Sequence, residues 1–307
     1  MQPQINIIPA HNIDKLKWDD CVRNSSNALI YATTDYLDNM TDNWHGIVVN
    51  DYDCVMPVPW RKKLGIRYSY DVPFIQQLGW FSKDQSINEN LLLNAFFQFV
   101  KYGDYAFNFS NKLPVENKLT QHHNYILDLS LPYENLEKKF NPDVRTYRRN
   151  ALKYHFSYTA CHIMEPVNLH IGLYQSQLKH ITGEDYRKFK SLTTVLDKNA
   201  KAFARKVISN SGELLSAVLV FKDSRRLYNI MNSTTASGKK MDANYFLLTE
   251  LWKEFEHEKL LFDFEGSDVP GIQKFYKKFG PQHQPYSKMY FNKLSFPLSM
   301  MNAPKPV

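Results

Sequence analysis

The residues best suited to chemistry lie near the C-terminus, in the stretch LLFDFEGSDVPGIQKFYKKFG at 260–280. An apolar strand is predicted over 260–264, and Asp263 and Glu265 stand at its C-terminal end, just before a helix. Carboxylates beside a helix N-terminus are well placed to bind or deprotonate a substrate amine. The alternative interpretation is structural, with Asp268 as a helix cap and the other charges solvated.

The same stretch contains a Gly266…Gly271 spacing that begins like a phosphate-binding loop. Ile272 and Gln273 stand where that loop needs Lys and Ser or Thr, so this kind of loop is excluded. The sequence also lacks a nucleophile elbow, a GxGxxG motif, an RNA-binding signature, a zinc finger and a basic zipper.

A second candidate is the stretch TTASGKKMD at 234–242, predicted as a loop between a strand and a helix. Ser237 and Gly238 are followed by Lys239 and Lys240. Backbone amides together with the dipole of the helix behind them suit a pyrophosphate. A surface turn rich in Gly and Lys is an equally weighted alternative.

Three arginines, Arg145, Arg148 and Arg149, are spaced i, i+3, i+4 and share one side of a predicted helix. Their planar forks suit phosphate or carboxylate groups, although a solvated helix face would look the same. A further stretch, VPFIQQLGW at 72–80 with WRKK at 60–63 upstream, fits a hairpin core better than a pocket.

Charge is distributed unevenly along the 307 residues, whose formal net charge is +7. Residues 137–155 carry a net +4 and residues 269–307 a net +6, so the rest of the chain is slightly acidic. Two local basic segments favour local binding of an anionic group over a general affinity for polyanions.

Periodicity predicts the elements that must position these residues. The N-terminal part reads as a helix at 14–24, short strands at 45–50, 54–60 and 66–70, a helix at 91–102 and strands at 105–109 and 124–129. The C-terminal part begins with predicted helices at 133–140, from Pro142, at 169–180 and at 184–199. Strands are predicted at 203–209, 213–222 and 226–233. A helix at 245–256, a strand at 260–264, a helix at 270–279 and a strand at 288–294 follow. Both halves therefore indicate an α+β fold.

Several classes of protein are excluded by composition. The N-terminus has no apolar signal core, and the most apolar stretch, 91–100, is far shorter than the roughly 20 residues of a spanning helix. Three widely spaced cysteines are typical of reduced thiols in a cytoplasmic protein. No spacing of His, Cys or acidic residues predicts a metal site.

Three stretches together resemble a known family. DFEGSDVPGIQKFYKKFG is similar to the C-terminal signature of Fem-type acyltransferases, which are related to the GNAT superfamily. NYILDLS followed by LEKKFNPDVRTYRRNALK, at 124–153, resembles the start of the second domain of that family. The strand, loop and helix at 226–256 fit its cofactor region, and the resemblance covers about 124–294.

The resemblance implies two tandem GNAT-like domains, 1–130 on the acceptor side and 131–307 on the acyl-donor side. Each would be a mixed, largely antiparallel twisted sheet flanked by helices. The implied reaction moves an acetyl, other acyl or aminoacyl group to an amine, with acetyl-CoA or another acyl-CoA as donor. Aminoacyl-tRNA is the alternative donor, and the acceptor would be a small molecule or a cell-wall or polysaccharide precursor.

The resemblance also gives the candidate residues their roles. Asp263 or Glu265 would accept the proton of the amine, and Tyr276 would protonate the leaving thiolate. Backbone amides of the strand at 230–234 would stabilise the acyl carbonyl. The donor would be bound by Asn232, Ser233, Thr234, Ser237, Gly238, Lys239 and Lys240. The acceptor would be contacted by Trp60, Arg61, Gln76 and Gln77. Anionic groups would be bound by Arg145, Arg148 and Arg149. A GNAT-shaped binding protein without transferase activity is the alternative function, and a nucleic-acid binder is a weaker third.

Overall fold

The computed structural model describes residues 3–83, 87–114 and 118–300. Contacts divide the chain into two compact units, Met1–His122 with Pro285–Val307, and His123–Gln284. The sequence had suggested a boundary between residues 130 and 131, with all later residues in the second domain. The segment after Gln284 instead belongs to the first unit, because its strand pairs with strands of that unit.

The described residues form ten α-helices, which are numbered here in chain order. They are α1 (Lys15–Asn24), α2 (Thr34–Met40), α3 (Glu89–Phe99), α4 (Tyr133–Glu137), α5 (Pro142–Leu152), α6 (Met164–Tyr174), α7 (Gly183–Lys198), α8 (Ala236–Lys240), α9 (Ala243–Glu254) and α10 (Pro270–Lys277).

Sixteen strands are formed by the same parts of the chain. They are β1 (Ile5–Pro9), β2 (Trp44–Val49), β3 (Cys54–Pro59), β4 (Arg61–Lys63), β5 (Ile66–Ser69), β6 (Phe81–Ser82), β7 (Tyr102–Ala106), β8 (Leu119–His122), β9 (Tyr125–Asp128), β10 (Ser157–Ala160), β11 (Ala202–Ile208), β12 (Leu214–Lys222), β13 (Arg226–Thr234), β14 (Leu261–Asp263), β15 (Gln282–His283) and β16 (Tyr286–Asn292).

The first unit contains two sheets. One has the order β1-β2-β3-β6, and the other has the order β4-β5-β7-β16-β8. Pairing is antiparallel except between β5 and β7. Strand β16, the last strand of the described residues, lies between β7 and β8 in the second sheet, and its Met289 and Phe291 are buried.

The second unit is built on one sheet of seven strands, in the order β10-β11-β12-β13-β14-β9-β15. Only β13 and β14 run parallel among the pairs of this sheet. Helix α9 packs against β11 and β12 and also against α5. Its Trp252 is buried among Phe140, Phe262 and Phe279, with rings in edge-to-face contact. The predicted α+β fold with mixed, largely antiparallel sheets and flanking helices is confirmed.

Local sequence signals determine several of the helix ends. The Asn141 side chain accepts a hydrogen bond from the Asp143 amide (3.0 Å) and Pro142 occupies the first turn of α5, as predicted. Asp14 caps α1 in the same way. Gly280 follows α10 with φ +62°, a conformation that favours glycine.

Several predicted elements differ from the structure, among them the helix predicted over 91–102, which ends at Phe99 before strand β7 begins at Tyr102. Residues 234–242 are not only a loop, because the short helix α8 forms inside them, capped by the Thr235 hydroxyl. The helix predicted over 169–180 is α6 and ends at Tyr174. None of the described helices is both long and apolar enough to span a bilayer.

Candidate functional site

A pocket of about 710 Å³ opens in the second unit. Its walls come from α6, the end of β13, α8 with the start of α9, and α10. The residues that line it are His170, Tyr174, Gln177, Leu178, Asn232, Thr234, Gly238, Lys239, Asp242, Asn244, Tyr245, Val269, Gly271, Ile272, Phe275 and Tyr276. Its size and its mixture of apolar walls with a few polar groups are typical of a small-molecule site.

The pocket lies where two neighbouring strands separate. Strand β13 pairs with β14 only through Arg226, Leu227 and Tyr228 among the described residues. Its other edge pairs with β12 as far as Thr234. Residues 229–234 therefore present one edge of backbone amides and carbonyls that β14 does not use. Such an edge can hydrogen bond an extended ligand.

Helix α8 closes one end of the pocket and packs closely on the sheet. Thr235 donates its amide to the Leu215 carbonyl (2.9 Å), and its hydroxyl accepts from the Gly238 amide (3.1 Å). A Cβ atom on Gly238 would lie 2.1 Å from the Leu215 oxygen. Only glycine fits at this point, which explains the residue that the sequence singled out.

Two amide oxygens at the pocket lack hydrogen-bond partners in the part of the chain that the structure describes. The Oδ1 atoms of Asn232 and Asn244 are buried and accept no hydrogen bond within the described residues. Leaving such an atom unbonded is costly, so a donor group on a ligand would be favoured here. Asn232 was predicted to bind the donor, whereas Asn244 was not.

His170 is a pocket residue that sequence reasoning missed. Its Nδ1 lies 3.3 Å from the hydroxyl of the buried Ser233. Burial lowers the pKa of His170, which favours the neutral imidazole. A neutral imidazole can accept a proton from an amine. Nothing in the sequence around residue 170 marks it, because its neighbours in the pocket come from distant parts of the chain.

Tyr276 lies in the pocket as the predicted acid should. Burial raises the pKa of its hydroxyl, and the nearby Glu265 carboxylate raises it further. The hydroxyl therefore stays protonated at neutral pH. Glu265 adopts φ +63° and donates its amide to Asp263 Oδ1 (3.0 Å).

The surroundings of Asp263 are those of a buried structural residue and not those of a catalytic one. It is 1% exposed, and its Oδ2 lies 2.8 Å from Nη1 of Arg226, which is 4% exposed. Asn124 also donates to Oδ2 (3.2 Å). The carboxylate is absent from the pocket lining. This geometry argues against Asp263 as the base, because its oxygens are already occupied by protein donors.

The other residues predicted to bind the donor differ in position. Ser233 and Thr234 end β13, and the Thr234 hydroxyl lies 2.9 Å from that of Ser216. Gly238 and Lys239 line the pocket, whereas Ser237 and Lys240, on the same short helix, are not among the lining residues.

Of the three arginines, Arg148 forms ion pairs within the protein. It contacts the carboxylates of Glu137 (3.3 Å) and Glu250 (3.7 Å). Arg145 and Arg149 are exposed. The three do not act as one anion-binding set, because α5 turns Arg148 toward α9.

The predicted acceptor residues lie in the first unit. Arg61 pairs with Asp42 (2.5 Å), and Trp60 donates its indole N–H to His45 (2.9 Å). Gln77 is buried, donates to the Gln76 side chain (2.5 Å) and accepts from the Phe109 amide (3.0 Å). These contacts support the interpretation of 72–80 as part of a core.

The two basic segments meet beside the pocket. A shallow groove between α5 and α10 is lined by Asn141, Asp143, Pro270, Gln273, Lys274, Lys277 and Lys278. The Asn141 amide donates to the Lys278 carbonyl (2.7 Å), and Gly280 packs against Lys139. This surface is called the basic groove below.

No family model and no curated protein matches the chain. Solved structures do match it. FemX aligns with a TM-score of 0.65 at 14% identity, over 95% of this chain and 98% of that one. L-PGS from Bacillus licheniformis gives 0.55 at 14% identity, over 94% and 95%. A tandem GNAT protein from the clavulanic acid biosynthesis pathway gives 0.52 at 11% identity, over 95% and 99%. The chain therefore has the Fem-type, tandem GNAT-like fold that its motifs resemble.

Proposed function

We propose that the protein is an N-acyltransferase that binds an acyl-CoA in the pocket of the second unit and transfers the acyl group to an amine. The observation that carries the proposal is the separation of β13 from β14, which opens a pocket against an unused strand edge. The resemblance to Fem-type acyltransferases and the fold of FemX support the same reaction class.

The donor is proposed to lie along residues 229–234. Amides of the CoA arm would bond to this strand edge and to the free oxygens of Asn232 and Asn244. Lys239, with Ser237 and Lys240 beside it, would attract the donor phosphates. The exposed Arg145 and Arg149 remain candidates for an anionic group of donor or acceptor.

Proton transfer is proposed to use His170 and Tyr276. The amine nitrogen attacks the thioester carbonyl carbon, its proton passes to the neutral imidazole of His170, and the C–S bond breaks. Tyr276, kept protonated by burial, gives its proton to the thiolate. Glu265 acts on Tyr276 electrostatically, and Asp263 holds the strand end in place.

The acceptor is proposed to be an amine on a small molecule or on a cell-wall or polysaccharide precursor. Trp60 and Gln76 of the first unit remain candidates for contacts with it. Gln77 is less suited to this role because it is fully buried, and the Arg61 guanidinium already pairs with Asp42.

Calorimetric titration with acetyl-CoA and longer acyl-CoAs tests donor binding. Release of free CoA in the presence of amino sugars and lysine-bearing peptides then tests transfer. We expect His170→Gln to lower kcat about 10²–10⁴-fold and Tyr276→Phe to lower it less. Absence of binding by every acyl-CoA would contradict the donor proposal. Binding without CoA release from any amine would favour a binding protein over a transferase.

The basic groove supports a second donor, aminoacyl-tRNA. Lys274 and Lys277 are exposed on one side of α10, and the other side of that helix lines the pocket. Lysines beside the pocket would neutralise phosphates of a nucleic-acid carrier. If tRNA is the donor carrier, its affinity will fall steeply with salt, and Lys274→Ala with Lys277→Ala will weaken it. Salt-insensitive or unmeasurable tRNA binding would exclude this donor.

A further inference from the structure

Helix α10 carries an apolar face that the protein covers only in part, at Phe275 and Tyr276. Val269, Ile272, Phe275 and Tyr276 follow the helical repeat and all line the pocket. Val269 is 56% exposed and Ile272 is 41% exposed, and α10 has no buried residue. Large aliphatic side chains that are exposed side by side in a concave site mark a surface that binds an apolar ligand.

The opposite wall adds apolar side chains beside two polar ones, His170 and Gln177. Helix α6 and the residues after it contribute Tyr174 and Leu178, and Tyr245 packs its ring edge-to-face on Phe275 at 5.1 Å. The charged lining residues are few, Lys239 and Asp242, and both belong to the α8–α9 side. The pocket thus has a polar end near α8 and an apolar wall along α10.

We propose that the acyl group carried by the donor is an apolar chain longer than acetyl, with Ile272 and Val269 as the residues that select it. This inference rests on the proposed function. The apolar wall is continuous with Tyr276, which is proposed to act at the breaking C–S bond. An acyl chain extending from that bond along α10 would cover the exposed side chains. An acetyl group is too short to do so.

Affinities for acetyl-, butyryl-, hexanoyl- and octanoyl-CoA test this, measured by calorimetry on the full chain below their micellar concentrations. We expect affinity to rise with length, by up to about fourfold for each fully buried methylene. Ile272→Ala should weaken octanoyl-CoA binding about tenfold and acetyl-CoA binding much less, because the acetyl group is too short to reach residue 272. A second variant, Val269→Ser, should act in the same direction.

The matched control is Leu152→Ala, which removes a similarly exposed aliphatic side chain (46%) outside the pocket. It should change neither affinity. Equal binding of acetyl- and octanoyl-CoA by the wild-type protein would overturn the inference and leave the donor proposal standing. Failure of every acyl-CoA to bind would overturn both, unless tRNA is the carrier. In that arm, leucyl-tRNA should bind more tightly than glycyl-tRNA, and equal binding would reject the inference.

Discussion

At the scale of single residues, a buried ion pair holds the end of β14. Arg226 on β13 and Asp263 on β14 are both almost inaccessible, and Arg226 also donates to the Gln284 side chain (2.9 Å). Removing one member of such a pair leaves a buried charge without compensation. The Asp263 carboxylate also accepts the amide of Glu265, so the pair shapes the turn that leads toward Tyr276.

Asp263→Asn should therefore lower the free energy of unfolding by about 3–5 kcal/mol, as measured by urea denaturation. The double variant Arg226→Met, Asp263→Leu should be more stable than the single one, because it removes both charges together. As a control, Glu165→Gln breaks the more exposed pair with Lys206 (2.7 Å) and should cost about 1 kcal/mol or less. A stable Asp263→Asn protein that has lost transfer activity would restore Asp263 as a catalytic candidate.

His170 predicts a specific dependence of stability on pH. Burial lowers the pKa of His170 in the folded protein below the ordinary histidine pKa of about 6.5. At pH values between these two pKa values, the histidine is protonated in the unfolded chain and neutral in the folded protein. Its contribution is fully present above about pH 6.5 and is lost as the pH falls toward the folded pKa. The melting temperature of the wild type should fall more between pH 7.5 and 5.0 than that of His170→Gln.

The matched control for His170 is His180→Gln, which changes an exposed histidine just beyond α6. His45 and His283 also have lowered pKa values, but they are common to all three proteins and cancel in the comparison. Identical pH profiles for the wild type and His170→Gln would mean that residue 170 does not titrate in this range.

At the scale of elements, the contact between α8 and β12 controls one end of the pocket. Gly238→Ala would place a methyl carbon 2.1 Å from the Leu215 carbonyl oxygen, which is too close unless α8 shifts. We expect a loss of about 1–3 kcal/mol in stability from overpacking, and weaker acyl-CoA binding, because α8 carries Lys239. Chemical denaturation and calorimetric titration measure the two effects.

Gly172→Ala is the control for that prediction. Gly172 lies inside α6, and a Cβ atom there meets nothing within 4 Å. Alanine in a helix interior should raise stability by about 0.5–1 kcal/mol. If Gly238→Ala is as stable as Gly172→Ala and binds acyl-CoA normally, α8 is not constrained as the structure indicates.

Elements set by local signals could be predicted, and those set by distant contacts could not. The cap at Asn141 and the stop at Gly280 depend on residues close in sequence, and both are confirmed. Strand β1 escaped prediction because its pairing with β2 involves residues about 40 positions away. The site follows the same rule. Tyr276 lies in a recognisable motif, whereas His170 and the partner of Asp263 are defined only by the fold.

At the scale of the whole molecule, the structure shows where the residues of the two basic segments lie. The lysines of the basic groove all come from the first part of 269–307, whereas the segment 137–155 contributes Asn141 and Asp143 to its lining. The remaining lysines of the second segment that the structure describes, Lys288 and Lys293, belong to the first unit. The sequence had presented one basic tail, and the fold divides it between two units.

The same division makes the first unit depend on the end of the chain. Strand β16 pairs with β7 on one side and β8 on the other, and Met289 and Phe291 contribute to the buried core. Deleting residues 285–307 would remove these side chains and leave two sheet edges unpaired. We expect the first unit of the truncated protein to lose cooperative unfolding, as followed by hydrogen exchange at β7 and β8.

The second unit should respond differently, because all seven described strands of its sheet lie within His123–Gln284. Amides of β12 and β13 in the truncated chain should keep their protection against exchange, and acyl-CoA should still bind. A peptide of residues 285–300 added in trans should restore protection at β7 and β8, because it supplies the missing strand and its two apolar side chains. Uniform loss of protection across both units would instead show that the chain unfolds as one cooperative body.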